Sequence, residues 1–262
     1  MPELPEVNTF QKYFDQTSLQ QKIVRTRVED GKIIRNLDEA AFRQKMTGRT
    51  FVGSTRRGKY LFAHLDNGQH LQWHFGMTGD LSYYQEPEDR PRFERFAFIF
   101  DSGFTLGFDC PRKFARIVFI EDLEQYIGEI QLGEDALHIS AERFLAEAKG
   151  KKSTLKGFLL NQKHLAGVGN LYADEVCYQT RIHPASRMDK LSENQLRTVH
   201  QKLQQILQFA VDQNAYYKNY PENWLWSWRD KEATAPDGTP VKIEKIGGRT
   251  TYFFDGYQVL YT

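Results

Sequence analysis

The sequence predicts an α+β protein in two parts: a β-rich N-terminal half that opens with a helix, and a helical C-terminal half that ends in a β-hairpin. Apolar residues follow the two-residue period of strands from residue 51 to residue 120, and the longer period of helices from residue 141 onward. Between these regions, residues 117 to 141 carry acidic side chains and no Lys or Arg. We therefore expect a domain boundary near residues 130 to 138.

The N-terminal half begins with a helix over residues 4 to 14, in which Val7, Phe10 and Phe14 share one face. Strands and tight turns follow, and the Asn-Gly pair at Asn67 is typical of a hairpin. The predicted strand regions are Phe51 to Leu65, His70 to Phe75, Phe93 to Phe100, Phe104 to Phe108 and Ala115 to Ile120. Such a series of strands is typical of a β-sandwich or a barrel.

The C-terminal half begins with three short helices, over Ala141 to Lys149, Thr154 to Gln162 and Leu171 to Thr180. A capping box from Ser192 to Gln195 then opens a longer helix with an apolar stripe. An aromatic segment follows between residues 216 and 228. The tail from Val241 to Tyr261 alternates around Gly247-Gly248, which predicts a terminal β-hairpin.

The composition excludes several classes of protein. No apolar run approaches the roughly 18 residues of a membrane-spanning helix, and the N-terminus lacks the basic and apolar regions of a signal peptide. The chain has only two cysteines, Cys110 and Cys177, far apart and without CxxC spacing. This excludes a disulfide framework and a four-cysteine zinc site, and makes the cytoplasm the expected location.

The formal net charge of +1 argues, taken alone, against a protein that binds nucleic acid. However, the charge is segregated along the chain. Residues 40 to 65 and 149 to 172 carry Lys and Arg but no acid, and the acidic stretch lies between them. Two basic regions separated by an acidic one indicate a localised basic surface for a charged partner, rather than charged residues that only contact solvent.

The N-terminus offers a nucleophile, because removal of Met1 would expose the secondary amine of Pro2. An α-amino group has a pKa of about 7.7–8.0, so more of it is neutral at pH 7 than of an ordinary lysine. A secondary amine that attacks an aldehyde-like carbon forms a cationic iminium, which acts as an electron sink. Glu3 or Glu6 can supply a general acid or base. The alternative is that Pro2 only occupies a first helical turn, where proline is favoured.

Three loops contain residues suited to nucleic acid. The Gly167-Val168-Gly169-Asn170 turn joins two helices, and its backbone N–H groups can approach a phosphate. The segments His74 to Gly79 and Pro111 to Phe114 carry Met, Arg and Phe, which can act as a wedge between bases or fill the space of a flipped nucleotide. The alternatives are a purely structural interhelical turn and ordinary core Met and Phe side chains.

Five motifs in order resemble the formamidopyrimidine-DNA glycosylase family, which includes the endonuclease VIII group. They are PELPEV at the N-terminus, RRGKYL around Lys59, HFGMTG around Met77, PRKF at 111 to 114, and NQKHLAGVGNLYADE at 161 to 175. The resemblance implies an N-terminal β-sandwich over residues 1 to 132, a helix–two-turn–helix domain over 133 to 225, and a β-hairpin finger over 226 to 262.

The resemblance also implies an activity, namely a bifunctional DNA glycosylase and AP lyase that excises oxidised bases in base excision repair. Pro2 would attack C1′ of the damaged nucleotide, form a Schiff base and lead to β,δ-elimination. Glu3 would protonate the opening sugar, Lys59 would assist at the sugar and contact a phosphate, and Glu6 would order the N-terminal segment.

The implied partner is double-stranded DNA that contains oxidised bases or abasic sites. Phosphate contacts are expected from one set of residues, and wedge or stacking contacts from a second. The first set is His74, Lys156, Asn170 and Arg249, and the second is Met77, Arg112 and Phe114. No cofactor and no membrane are expected, and the protein is expected to act as a monomer in the cytoplasm, in bacteria near the nucleoid.

Two departures from the family pattern affect these expectations. The positions that carry zinc-binding cysteines in many relatives are Thr234, Asp237, Phe254 and Tyr257. We therefore predict a zincless finger, stabilised by docking on the helical domain. In addition, Gln213-Asn214-Ala215 and a short aromatic stretch stand where relatives have a long loop over the lesion, so the preferred lesion stays open.

Two other functions fit parts of the pattern. A protein of the same fold could bind damaged or abasic DNA without catalysis. A phosphate-binding RNA or ribosomal module could use the Gly167-Val168-Gly169 turn, but it leaves the whole N-terminal half without a role.

Overall fold

The computed structural model describes residues 1–230, 232–234 and 238–262. The chain divides into two compact units, residues 1–131 and 132–262. The split falls inside the acidic stretch, within the region where the change of hydrophobic period predicts a boundary. The further division of the second unit at residue 225 stays a prediction.

The first unit contains three helices and two antiparallel sheets of four strands, in the orders β1-β6-β7-β5 and β2-β3-β4-β8. The helices are α1 (Leu4–Ser18), α2 (Glu39–Met46) and α3 (Leu123–Glu129). The strands are β1 (Ile23–Val28), β2 (Phe51–Arg57), β3 (Tyr60–Leu65), β4 (His70–His74), β5 (Asp80–Tyr84), β6 (Glu94–Phe100), β7 (Thr105–Asp109) and β8 (Arg116–Ile120).

Aromatic side chains from both sheets form one core. Trp73 on β4 packs edge-on against Phe96 and Phe108 of the other sheet, with ring centroids 5.6 and 5.5 Å apart. Phe14 of α1 contacts the same tryptophan at 5.8 Å. Geometry of this kind adds directional preference to the burial of large apolar surfaces. The arrangement confirms a β-sandwich opened by a helix, rather than a barrel.

One predicted strand is wrong, because Phe51 to Leu65 is a hairpin. The chain turns at Gly58-Lys59, and Gly58 has a φ of 59°, as the first central residue of a two-residue hairpin turn requires. The alternating pattern continues through the turn, so periodicity alone does not reveal it. The acidic stretch, in which the domain boundary is expected, contains α3. The side chain of Asp122 accepts from Gln125 N–H and caps this helix.

Among its described residues, the second unit contains four α-helices, one short parallel strand pair and one hairpin. The helices are α4 (Ala141–Ala148), α5 (Leu155–Leu160), α6 (Asn170–Gln179) and α7 (Glu193–Asp212). The strands are β9 (Glu134–Asp135), β10 (Leu165–Ala166), β11 (Val241–Ile246) and β12 (Arg249–Phe254).

Two local predictions for this unit are confirmed. At the start of α7, Ser192 N–H donates to the side chain of Gln195 at 2.8 Å, and Gln195 N–H donates to Ser192 Oγ at 3.3 Å. The hairpin turns at Gly247 and Gly248, whose φ values of 60° and 75° favour glycine. In the part of the chain that the structure describes, no helix combines the length and apolarity needed to cross a membrane.

Candidate active site

The N-terminal segment is held by a reciprocal capping box. Glu3 is the N-cap of α1, and its backbone N–H donates to Glu6 Oε2 at 2.7 Å, while the Glu3 carboxylate accepts from the backbone of Glu6. Glu3 is only 6% exposed. Pro2 precedes this cap, so it lies outside the helix and does not occupy a first helical turn. The capping box thus fixes Glu3, the residue that follows Pro2, and its buried carboxyl group is next to Pro2 in the sequence.

Lys59 lies near the same end of α1. The helix and β2 run in opposite directions: Gln20 N–H donates to Phe51 O at 2.8 Å, and Gln11 Nε2 donates to Ser54 Oγ at 3.1 Å. The N-terminus of the helix therefore lies beside the end of β2, where the turn that carries Lys59 follows. Lys59 is 6% exposed. The fold thus brings Pro2, Glu3 and Lys59 to one end of the sandwich.

His74 ends β4 next to this turn. Its ring lies 5.2 Å from the ring of Tyr60, and burial together with the charges of Arg116 and Lys59 lowers the pKa of His74 to about 4. The ring is therefore neutral at pH 7. Because Nδ1 accepts from Gly76 N–H at 3.3 Å, we assign the proton to Nε2, which can donate to an acceptor.

The two loops predicted to act as wedges lie against each other. A side chain at Gly76 would meet the backbone of Phe114, because a Cβ there would lie 2.4 Å from its carbonyl carbon. This close approach brings Met77 near Arg112 and Phe114. Met77 and Phe114 are 43% and 53% exposed, and the Arg112 guanidinium lies 5.1 Å from the Phe114 ring. The alternative that Met77 and Phe114 are core residues is wrong.

The loop that carries Arg112 is itself anchored. Arg95 Nε donates to Cys110 O at 2.8 Å, and Lys113 pairs with Asp30 at 2.5 Å. The hydrogen bond from Lys113 holds the pKa of Asp30 below its ordinary value. Lys113 thus fixes the loop and leaves Arg112 and Phe114 at its exposed tip.

In the second unit, the glycine turn precedes α6. Gln162 holds this turn on both sides: its Oε1 accepts from Gly167 N–H at 2.9 Å, and its Nε2 donates to Val168 O at 2.9 Å. Asn170 is the first residue of α6, and its Nδ2 donates to Thr250 O on β12 at 2.9 Å. Among the described residues this uses one of the two Nδ2 protons, which leaves the other for an acceptor such as a phosphate oxygen.

The expectation that Lys156 contacts DNA phosphate is wrong. Lys156 is 0% exposed, and its ammonium group pairs with Asp174 Oδ1 at 2.6 Å. It also donates to Thr251 Oγ1 at 2.6 Å and to Thr250 O at 3.2 Å. A buried ammonium with these partners is part of the interior, since moving it to a phosphate would leave Asp174 without one of its cations.

Sequence reasoning missed Asp174 and Arg229. Asp174 is fully buried, accepts from Arg229 Nη1 at 2.6 Å, and accepts from Tyr252 N–H at 3.3 Å. One signal was present: Lys156 and Asp174 each lie among apolar residues of a short helix, where a charge needs a partner. Arg229 gave no such signal, because it lies in an irregular segment far along the chain.

Arg249 begins β12 and is exposed, directly after the glycine turn. The turn packs closely on α5, because a Cβ at Gly247 would lie 3.4 Å from Gly157 Cα. Arg249 is followed by Thr250, whose carbonyl accepts from Asn170. Two side chains expected to bind phosphate therefore come from neighbouring points of α6 and the hairpin.

The described residues of the finger do not fit a zinc ion. Phe254 is 1% exposed and packs on the ring of Tyr178 at 5.9 Å, and Tyr257 stacks on the same ring at 5.1 Å. Thr234 pairs with Pro240 in a short bridge, and Asp237 lies outside the described residues. Phe254 has no donor atom for a metal, and the described part of the chain holds no cluster of three or more His, Cys, Asp or Glu that could bind one.

Comparison with known proteins identifies relatives of both units. Residues 1–117 match the N-terminal domain of formamidopyrimidine-DNA glycosylase, and residues 132–219 match the H2TH domain of the same enzyme. The formamidopyrimidine-DNA glycosylase of Arabidopsis thaliana is 30% identical over 279 residues, which cover 100% of this chain and 72% of the relative. That of Synechocystis sp. is 30% identical over 277 residues, covering 97% and 96%.

Solved structures show the same fold. The formamidopyrimidine-DNA glycosylase of Lactococcus lactis, non-covalently bound to DNA with an AP site, has a TM-score of 0.87 and 24% sequence identity. The match covers 98% of this chain and 99% of that one. A Lactococcus lactis complex with DNA containing a formamidopyrimidine lesion also gives a TM-score of 0.87 at 24% identity.

Proposed function

The chain belongs to the formamidopyrimidine-DNA glycosylase family, and from that premise we propose that it is a bifunctional enzyme whose nucleophile is the amine of Pro2. It is a DNA glycosylase of base excision repair, and its partner is damaged DNA. The proposal extends this to the second step, in which the same covalent intermediate leads to strand cleavage, and to the residues that perform both steps.

The chemistry starts from the N-terminal amine after removal of Met1. The nitrogen lone pair of Pro2 attacks C1′, the bond from C1′ to the base breaks, and the base leaves with the electron pair. Opening of the sugar ring gives an iminium between Pro2 and C1′, which stays cationic because the amine is secondary. Removal of a C2′ proton lets the iminium take up the electron pair, and the 3′ phosphate leaves by β-elimination. Removal of a C4′ proton then expels the 5′ phosphate by δ-elimination, and water hydrolyses the remaining iminium to free the amine of Pro2.

The observation that carries the proposal is the position of Pro2 next to a capped carboxyl group and near a buried lysine. Glu3 would donate a proton to the sugar oxygen as the ring opens, and Glu6 would hold the segment through the bond to Glu3 N–H. Lys59 would neutralise charge at the sugar and the adjacent phosphate.

We propose DNA contacts only for side chains that are exposed or that have a hydrogen-bond donor available for an acceptor on DNA. His74 would donate from Nε2, and Asn170 and Arg249 would bind phosphate oxygens in the second unit. Met77, Arg112 and Phe114 would fill the space left by the displaced nucleotide and stack on its former partner. Lys156 is no longer in this set. We propose that the enzyme works where DNA is accessible to it, in the cytoplasm.

Borohydride trapping on a duplex with an abasic site tests the proposal. We expect a covalent adduct with the parent protein, whose intact mass shows loss of Met1, and a much slower one with Pro2→Gly, because the primary amine of Gly gives a neutral imine that must be protonated before it acts as an electron sink. Pro87→Gly is the matched control, since this exposed proline lies in a short helical turn away from the N-terminus.

The same assay separates the rival function. A protein that only binds damaged DNA would bind the abasic duplex tightly, form no adduct, and leave the strand intact in both forms. A peptide map of the trapped adduct that places the DNA on a residue other than Pro2 would refute Pro2 as the nucleophile. Duplexes with 8-oxoguanine, formamidopyrimidine, thymine glycol and hydantoin then define the lesion, which the short segment after α7 leaves open.

A further inference from the structure

A buried group of charges connects three elements of the second unit. We define the finger network as Lys156 on α5, Asp174 on α6, Arg229, and Thr251 on β12. Asp174 lies at its centre, with Lys156 Nζ and Arg229 Nη1 each 2.6 Å from one of its two carboxylate oxygens. The side chains of Lys156 and Asp174 are both 0% exposed, and that of Arg229 is 15% exposed.

The network attaches the hairpin to the helices at several points. Thr251 Oγ1 accepts from Lys156, and the backbone N–H of Tyr252 donates to Asp174 Oδ2 at 3.3 Å. Arg229 also lies over the ring of Tyr252, 4.5 Å from its centroid. Each of these interactions is directional and involves a backbone group or a charged side chain. Together they define the register of β12 relative to α6. An apolar contact alone would allow the strand to slide.

The phosphate-directed residues lie beside this network. The carbonyl of Thr250 accepts from both Lys156 Nζ, at 3.2 Å, and Asn170 Nδ2, at 2.9 Å. Arg249 precedes Thr250 on β12, on the side of the turn. The network also contacts Asn170 directly, because Arg229 Nη1 donates to Asn170 O at 3.5 Å. A shift of β12 would therefore separate Arg249 from Asn170.

We propose that Asp174 is a positioning residue for DNA binding: its buried carboxylate fixes the hairpin on α6, so that Asn170 and Arg249 face the same stretch of phosphate backbone. This rests on the proposed function insofar as Asn170 and Arg249 bind phosphate. In a finger whose residues do not fit zinc, the ion network and the aromatic contacts of Phe254 together hold the hairpin in place.

A double-mutant cycle on DNA affinity tests this role. The probe is a duplex with a tetrahydrofuran abasic analogue, which lacks the C1′ leaving group, so binding is measured without chemistry. Asp174→Asn removes the central charge, Arg249→Ala removes the phosphate contact, and the double variant combines them. Asp189→Asn is the matched control, since it makes the same change in an exposed ion pair with Arg187.

We expect each single variant to weaken binding by about tenfold and to reduce the slope of log K against log salt by about 1, as for the loss of one phosphate contact. The double variant should bind about as weakly as Asp174→Asn alone, because the arginine no longer reaches its phosphate. The control should bind like the parent protein.

Two results would overturn the proposal. One is parent-like affinity of Asp174→Asn, and the other is independent, multiplicative effects of the two substitutions. If Asp174→Asn does not fold, Thr251→Val replaces it in the cycle, since it removes the hydroxyl that accepts from Lys156 and donates to Arg249 O. Failure of the Pro2 assay would leave this binding result intact, so the two proposals can fail separately.

Discussion

Glu175 on α6 gives a pH-dependent prediction for stability. Its carboxylate accepts from Gln179 Nε2 at 2.8 Å and from Trp226 N–H at 3.2 Å, and it is 3% exposed. Burial raises the pKa of Glu175 to about 7, from an ordinary value of 4.5, although these hydrogen bonds and the charge of Arg229 oppose the change. Glu175→Gln keeps an acceptor for Trp226 and cannot ionise.

The sign and size follow from the two pKa values. Between pH 4.5 and 7 the unfolded chain loses this proton while the folded protein keeps it, so the free energy of unfolding falls as the pH rises through this window. Above pH 7, ionisation of Glu175 in the folded protein costs about 3 kcal/mol relative to its ionisation in the unfolded chain. We therefore expect Glu175→Gln to stabilise the protein at pH 8 by up to about 3 kcal/mol, and by less than about 1 kcal/mol at pH 5.

Urea unfolding at pH 5 and pH 8 measures this difference. Tryptophan fluorescence reports on the second unit, because Trp224, Trp226 and Trp228 lie in the segment that Glu175 contacts. Asp189→Asn controls for the loss of an exposed carboxylate, and should change stability little at either pH. An equal effect of Glu175→Gln at both pH values, or destabilisation at pH 8, would refute the argument.

Three further predictions concern the proposed DNA-binding groups and the finger network. Gly76→Ala should displace its loop and reduce the affinity for abasic DNA by about tenfold, because a Cβ there meets backbone and the φ of 63° is strained. Gly68→Ala is the control: its φ is 81° but the space around it is open, and it should not reduce the affinity for abasic DNA. His74 should titrate near pH 4 in NMR spectra of the imidazole nitrogens, with Nε2 protonated at pH 7; a pKa near 6.5 would contradict its burial. Lys156→Met should lower the free energy of unfolding by about 2 kcal/mol, because Asp174 keeps only one cation; an unchanged urea midpoint would show that the pair contributes no net stability.

Much of the fold could be predicted from local patterns. The capping box at Ser192 and the Gly247-Gly248 turn act within a few residues, so the sequence around them determines their structure. The turn at Gly58 was missed, because alternation continues across it and only pairing of β2 with β3 reveals the break. Since that turn carries Lys59, the position of a proposed catalytic residue depended on a strand pairing that no local pattern signals.

The sequence by itself determined the α+β class, the family, and the residue types available for chemistry at the N-terminus, since these depend on period, motif order and chemical identity. Only the tertiary structure decided which charges serve DNA and which serve the fold. Lys156 and Lys59 are similar in a basic stretch of sequence, yet one is paired with Asp174 and the other lies beside the start of α1. The physical reason is that the role of a charge depends on its desolvation and its partners, and only the tertiary structure brings Asp174 to Lys156 and Arg229 to Asp174.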